Sequence, residues 1–380
     1  MKNKLFSLLV IALLSTSCSN STRRSDMLLR DVYKDYFSIG AAFNDGSIPV
    51  PMDDEEAVVD DGLYNHFNSL TCENDMKWEK IHPSEYVYDY EKADKYVEFA
   101  KTHNMGVRGH ALVWYRALPG YMNKSKIHDK ETLLLKEKEH IDNVVEHFGD
   151  SVYCWDVVNE VISDSEDEII TDENAYRQDD FWYELSGKEY ILKAFEYADA
   201  KLKELGIREK VKLFYNDYDN TKPVKKAKTM HMLNWLLEAN CPIDGIGLQC
   251  HYNMGSFVKD ELESAIVDYS SLGLEVQITE FDVDIYDETP SMAIEESYDI
   301  LGAPEKILDA QATIYDHAFK IFRKHKDKIS NVTFWGIRDN NTYMNDPTEF
   351  VGHAGPNFPY IFDIFGEKKP AFYVIADYED

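Results

Sequence analysis

The sequence predicts an α/β fold, a single (β/α)8 barrel, from three observations. Short strand-like apolar runs alternate with segments of helical periodicity. No repeat, low-complexity run or Pro/Gly-rich linker divides residues 27–380. Polar residues able to do chemistry fall at the C-terminal ends of the runs, the face on which barrel sites are built. A chain of 380 residues has room for two or three domains, but one barrel with long loops also uses that length.

The strand-like runs are Phe37 to Phe43, Phe67 to Thr71, Val107 to Val113, Val152 to Val158, Lys212 to Tyr215, Gly245 to Gln249, Leu274 to Thr279 and Val332 to Trp335. Helical periodicity fills Tyr90 to His103, Glu131 to Phe148, Lys188 to Leu205, Val224 to Ala239, Lys259 to Leu272 and Lys306 to His325. Asn-Asp-Gly at 44–46 and Pro-Ser at 83–84 mark loops. An open doubly wound sheet competes with the barrel. It calls for a glycine-rich phosphate loop after the first strand, and Ile39-Gly40-Ala41-Ala42-Phe43-Asn44 is not one.

A net charge of −30 opposes binding to nucleic acid, whose phosphates it repels. A neutral polysaccharide is compatible with it. Aromatic content of 13% suits sugar stacking, though barrel cores also consume aromatics. Of five cysteines, Cys72, Cys154 and Cys250 lie in or beside apolar runs and read as buried free thiols, while a disulfide at Cys241 stays open. No CxxC or zinc-spaced His pair appears, so no metal or organic cofactor is expected. Asp164-Ser165-Glu166-Asp167-Glu168 reads as a solvated loop rather than a cation site.

Residues 1–18 read as an export signal. Lys2 and Lys4 precede an apolar core from Leu5 to Leu14, too short to span a bilayer. Ser15, Thr16 and Ser17 lead into Cys18, an order that resembles a bacterial lipoprotein signal, with the aliphatic Leu14 one place early. The expectation is a lipid anchor at Cys18, with plain secretion or a periplasmic location as the alternative. Residues 19–26 would form a polar tether, and 27–380 the barrel domain of a monomer.

Two runs close on carboxylates: Trp155-Asp156-Val157-Val158-Asn159-Glu160 and Glu275-Val276-Gln277-Ile278-Thr279-Glu280. Paired carboxylates across a bond are what glycosidic cleavage requires, one as proton donor and one as nucleophile or base. The other strand ends carry Glu73-Asn74 with Lys77 and Trp78, Arg108-Gly109-His110 leading to Trp114, Asn216-Asp217, Gln249 with His251, Asp282, and Trp335.

At these residues the sequence resembles the family 10 glycoside hydrolases, whose typical members are endo-β-1,4-xylanases. The likeness runs from about Asp31 to Tyr373. Its strongest blocks are Glu73 to Glu79, Arg108 to Trp114, Trp155 to Glu160, Asp244 to Gln249 and Thr279 to Asp282. The resemblance implies retaining double displacement, with carboxyl groups roughly 5 to 5.5 Å apart. By position Glu160 resembles the acid/base and Glu280 the nucleophile. Such an acid/base needs a pKa raised toward about 6 to 7.

The resemblance further implies that Asn159 bonds the 2-hydroxyl of the reacting sugar. It implies that His251, backed by Asp282, holds the nucleophile. Glu73, Asn74, Lys77, His110 and Gln249 match residues that bind sugar hydroxyls on the non-reducing side. Trp335 matches an aromatic floor, and Trp114 either packs beside it or serves a structural role.

Two departures from the family pattern stand out. Tyr115, Arg116 and Ala117 replace the usual His, small polar residue and Gln before Leu118-Pro119. Tyr343 stands where a second Trp is common. The reading is a retaining endo-β-1,4-xylanase acting on xylan or a related β-1,4-linked polysaccharide. The departures keep open a mixed xylan/glucan hydrolase, and a non-catalytic polysaccharide-binding lipoprotein is the remaining alternative.

Overall fold

The computed structural model describes residues 23–45, 47–50, 60–286, 302–345 and 356–379. The expected signal, Cys18, tether residues 19–22 and Gly46 of the first loop lie outside the described residues. The sheet comprises β1 (Ser38–Phe43), β2 (Ser69–Cys72), β3 (Gly106–Trp114), β4 (Cys154–Asn159), β5 (Lys212–Asp217), β6 (Gly245–Leu248), β7 (His251–Asn253), β8 (Glu275–Asp284) and β9 (Ile329–Phe334). All pairings are parallel, and β1 joins β9 while β6 joins β8, so the sheet closes on itself. The result is the expected (β/α)8 barrel, with β7 as a short outlying continuation of β6.

The helices fall where periodicity placed them, within one or two residues at each end. They include Glu91–Thr102, Lys130–Phe148, Glu189–Glu204, Pro223–Glu238, Lys259–Ser271 and Glu305–Lys324. The last buries Ala312, Tyr315, Phe319 and Phe322, the i, i+3, i+4 spacing of one helical face. Asp129 caps the second by accepting a bond from the Thr132 amide at 2.8 Å, satisfying an otherwise orphan donor. Among the described residues no helix is long and apolar enough to cross a membrane.

Inside the barrel the filling is partly polar. Arg108, fully buried, donates to Asp156 through both terminal nitrogens and to Gln277 Oε1 through Nε at 2.7 Å. A buried guanidinium is tolerated because its fork is matched by a carboxylate. Gly109 is required beside it: a Cβ there would sit 2.2 Å from the Trp155 ring.

Two differences from the sequence reading affect the site, and a third lies at the N-terminus. β8 runs five residues past Thr279, so Glu280 and Asp282 lie within a strand and, two residues apart, on one face of it. β6 stops at Leu248; Cys250 takes a left-handed φ of 58°, and the chain resumes as β7 with His251 paired to Asp282. Of the expected tether, Arg24–Asp26 form a short helix against the C-terminus, where Arg24 donates to the Tyr378 carbonyl and the Ser25 amide to Asp377. The folded body therefore begins before residue 27. Cys72, Cys154, Cys241 and Cys250 are all free and buried, which closes the question of a disulfide at Cys241 within the described residues.

Candidate active site

Glu160 follows the last residue of β4 and adopts a left-handed φ of 59°. That conformation is unfavourable for a non-glycine residue by roughly 1 to 2 kcal/mol and recurs where a site demands a particular side-chain direction. The Glu160 amide is held by the Asn216 carbonyl at 2.9 Å. Trp114 Nε1 donates to its Oε2 at 2.9 Å, and Gln249 Nε2 to its Oε1 at 3.0 Å. Only 8% of Glu160 is exposed. Trp114 thus binds the carboxylate directly.

Glu280 is bound on both oxygens. Asn216 Nδ2 donates to Oε1 at 2.7 Å, and His251 Nε2 lies 3.2 Å from Oε2. The same Asn216 amide donates to Asn159 Oδ1 at 2.9 Å, while Thr279 fixes its orientation by donating to Asn216 Oδ1. Gln249 Nε2 also reaches Asn159 Oδ1 at 3.4 Å. One bonded path, Glu160–Gln249–Asn159–Asn216–Glu280, therefore spans the two carboxylates. Asn159 Nδ2 is buried and has no partner, a donor left open beside both acids.

Behind Glu280, His251 Nδ1 lies 2.9 Å from Asp282 Oδ2. Burial lowers the pKa of His251, but the Asp282 charge and the bonds to Asp282 and Glu280 outweigh it, and the imidazole sits well above its ordinary value. Both ring nitrogens then donate. Burial pushes the Glu280 carboxyl up; the His251 bond, the charges of His110 and His251, and the Asn216 bond overcome it, leaving Glu280 below the usual carboxylate range. The arrangement keeps Glu280 ionised in a nearly dry site.

This coupling has a pH signature. A raised histidine contributes stability that is full below its unfolded value of about 6.5 and is lost as pH rises through its folded value. A depressed carboxylate contributes stability present above about 4.3 and lost as pH falls through its folded value. The stability gap between wild type and His251→Gln should therefore be widest between about pH 4.5 and 6.5 and narrow on either side. Melting temperatures of both proteins across pH 3 to 9 (roughly the span covering both transitions) measure it; a gap independent of pH contradicts the coupling.

The remaining expected residues join this cluster. His110 Nδ1 lies 2.8 Å from Asp156, so the buried Arg108–Asp156 pair aims its ring. Trp335 meets His110 at 5.4 Å and His251 at 6.2 Å between ring centroids, both edge to face. Lys77 Nζ stands 5.1 Å over the Trp114 ring and donates to Asn74 Oδ1 at 2.8 Å. Glu73 accepts from Asn44 Nδ2 at 2.7 Å, and burial leaves its carboxyl above the usual range despite Asn44 and Lys77. The Tyr343 hydroxyl donates to Asp282 at 3.4 Å.

Two features were not assigned from sequence. Asn216 was visible at the end of its strand, but nothing local marks it as the link between the carboxylates. Asp164 lies in the exposed loop the sequence predicts, and it also binds Arg177 and Lys225 at 2.9 and 2.8 Å and the Tyr218 hydroxyl at 2.6 Å. Burial raises its pKa, but Lys225, Tyr218 and Arg177 bring it down to about 2. Among the described residues no cluster of three His, Cys, Asp or Glu side chains is placed to hold a metal ion.

The model of the glycosyl hydrolase family 10 matches residues 28–378. The chain belongs to glycosyl hydrolase family 10. Among its relatives, a beta-1,4-xylanase of Dictyoglomus thermophilum is 37% identical over 384 aligned positions covering all of both chains. Endo-1,4-beta-xylanase A of Caldicellulosiruptor saccharolyticus is 38% identical over 354 positions, 92% of this chain and 95% of that one. In structure, the family 10 fold here resembles a mutant protein solved in complex with xylotriose. That pair gives a TM-score of 0.79 and 39% identity over 93% of this chain and 100% of that one. The endo-1,4-beta-xylanase of Caldicellulosiruptor owensensis gives 0.77 and 40%, covering 92% and 99%.

Proposed function

We propose that this family 10 protein is a retaining endo-β-1,4-xylanase in which Glu160 is the acid/base and Glu280 the nucleophile. The observation that carries the assignment is the asymmetry between the two carboxylates. Glu280 is held ionised by His251 and Asn216, as a nucleophile must be. Glu160 is bonded by neutral donors, the Trp114 indole and the Gln249 amide, so it can pass a proton without breaking an ion pair. Proton transfer from Glu160 to the glycosidic oxygen accompanies attack by Glu280 on the anomeric carbon. Water, deprotonated by Glu160, then cleaves the glycosyl ester and regenerates both groups.

The unpartnered Asn159 amide suits the 2-hydroxyl of the reacting sugar, a bond that strengthens as oxocarbenium character develops. Trp335 serves as the floor, and Glu73, Asn74, Lys77, His110 and Gln249 bind hydroxyls on the non-reducing side. Relatives named as xylanases and the xylotriose-bound neighbour support xylan as substrate. Tyr343, tied to Asp282, keeps a mixed xylan/glucan preference as the second reading. The expected result is release of xylo-oligosaccharides from xylan and faster turnover of an aryl xylobioside than of an aryl cellobioside. Equal rates would favour the mixed reading, and inactivity toward xylan would end the assignment.

The proposal extends to cellular placement. Lys2, Lys4, the apolar stretch Leu5 to Leu14 and Cys18 support bacterial export, with lipidation at Cys18 tethering a monomeric enzyme to the membrane.

A further inference from the structure

Residues 115–117, where the chain departs from the family pattern, form a defined structure beside Glu160. Ala117 takes a left-handed φ of 51°, and its carbonyl accepts a bond from the Glu79 amide at 2.9 Å. This pins the turn after β3. Two arginines flank the Tyr115 ring, Arg177 at 4.5 Å and Arg116 at 5.4 Å from its centroid. Arg116 Nε also donates to the Tyr115 hydroxyl at 3.0 Å.

The two guanidinium groups differ in how they are neutralised. Arg177 is paired with Asp164 at 2.9 Å and donates to the Tyr218 hydroxyl at 2.9 Å. Lys225, nearby over the Tyr218 ring, is paired with Asp164 and with the buried Asp217 at 3.1 Å. Arg116 is exposed, and among the described residues no carboxylate lies within ion-pair distance of it. Its Nε bond to Tyr115 fixes the plane of the group and leaves the two terminal nitrogens open. That fork is the geometry that matches a carboxylate bidentately. Trp114, two residues earlier, binds Glu160, and Arg177 over the Tyr115 ring donates to the Glu160 carbonyl at 3.4 Å, so Arg116 stands at the Glu160 side of the cleft rather than on a remote surface.

We infer that Arg116, oriented on Tyr115, is a specificity-determining residue that recognises the carboxylate of a uronic-acid branch carried by the xylan chain. The inference rests on the xylanase reading and adds a substrate class to it. A chain of net charge −30 repels an acidic polysaccharide at long range, and a fixed, uncompensated cation at the cleft offsets that repulsion locally.

The test uses one polymer in two forms: a glucuronoxylan, and the same material with its uronic carboxyls chemically reduced to primary alcohols. The readout is the ratio of kcat/KM on the acidic form to that on the reduced form, for wild type, Arg116→Leu and Arg116→Lys. The expected wild-type ratio is about three to five, the scale of a partly exposed charge contact, shrinking in high salt. Arg116→Leu should bring it to about one or below, and Arg116→Lys should fall between, keeping charge without the fork. Because the quantity is a ratio within one protein, a loss of folded enzyme cancels. A wild-type ratio of one, or a ratio unchanged in Arg116→Leu, overturns the inference. Failure to cut either polymer would overturn the xylanase reading itself.

Discussion

Replacing Glu280 by Ala is expected to lower kcat on xylan by about 10⁵-fold or more, the scale on which removal of a covalent nucleophile acts. The physical ground is that no other group can form the glycosyl ester: His251 and Asn216 are donors already committed to Glu280. The substitution leaves a small cavity beside a protonated imidazole, which invites a small anion. Azide should therefore restore turnover of an activated aryl xylobioside. Azide attacks the anomeric carbon from the side Glu280 occupied, the aryl oxygen leaves, and the product is an α-glycosyl azide of inverted configuration. Circular dichroism in the near ultraviolet checks that the fold persists. Wild-type turnover by the folded variant, or a β-configured azide product, would assign the nucleophile elsewhere.

Glu160→Ala is the second large effect, and its signature differs in kind. Loss of a general acid costs about 10²- to 10⁴-fold on xylan, whose leaving group is a poorly acidic sugar hydroxyl. A dinitrophenyl xylobioside needs no proton, so its glycosylation step should proceed. Hydrolysis of the intermediate then lacks its base and becomes limiting, so KM falls along with kcat. Azide, needing no base, should accelerate this second step and yield a β-glycosyl azide, because Glu280 has already inverted the centre once. Opposite azide anomers from the two variants would separate the two roles. The same loss on both substrates with no azide effect would contradict the acid/base role.

Much of this site is legible without a structure, and the reason is positional. A strand delivers its last side chains to the rim of a barrel, so reading the strand ends in order collects Asn74, His110, Glu160, Gln249, Glu280 and Trp335 before any coordinates exist. The barrel itself follows from alternating periods of two and 3.6 with no interrupting linker. The strand through Glu280 was less legible. β8 stays buried through Asp284, and acidic residues at 280, 282 and 284 look like a loop until their partners are known. The break between β6 and β7 was hidden as well, because its left-handed residue is Cys250 and not the glycine that normally announces such a turn.

The sequence by itself determined which residues could do the chemistry and on which rim of which fold they stand, because burial periodicity and strand order are local properties of the chain. The tertiary structure alone decided what each of them touches. Trp114 binds Glu160 across 46 residues, Asn216 joins Asn159 to Glu280 across 57 and 64, and His251 meets Asp282 only because β7 pairs with β8. Those bonds are set by barrel closure and strand register, and an amide or an indole carries no local pattern that names its partner. For the same reason Arg116 reads in sequence as a departure from the family pattern. Its meaning as an unpaired, oriented cation emerges only with Tyr115, Arg177 and Asp164 packed around it.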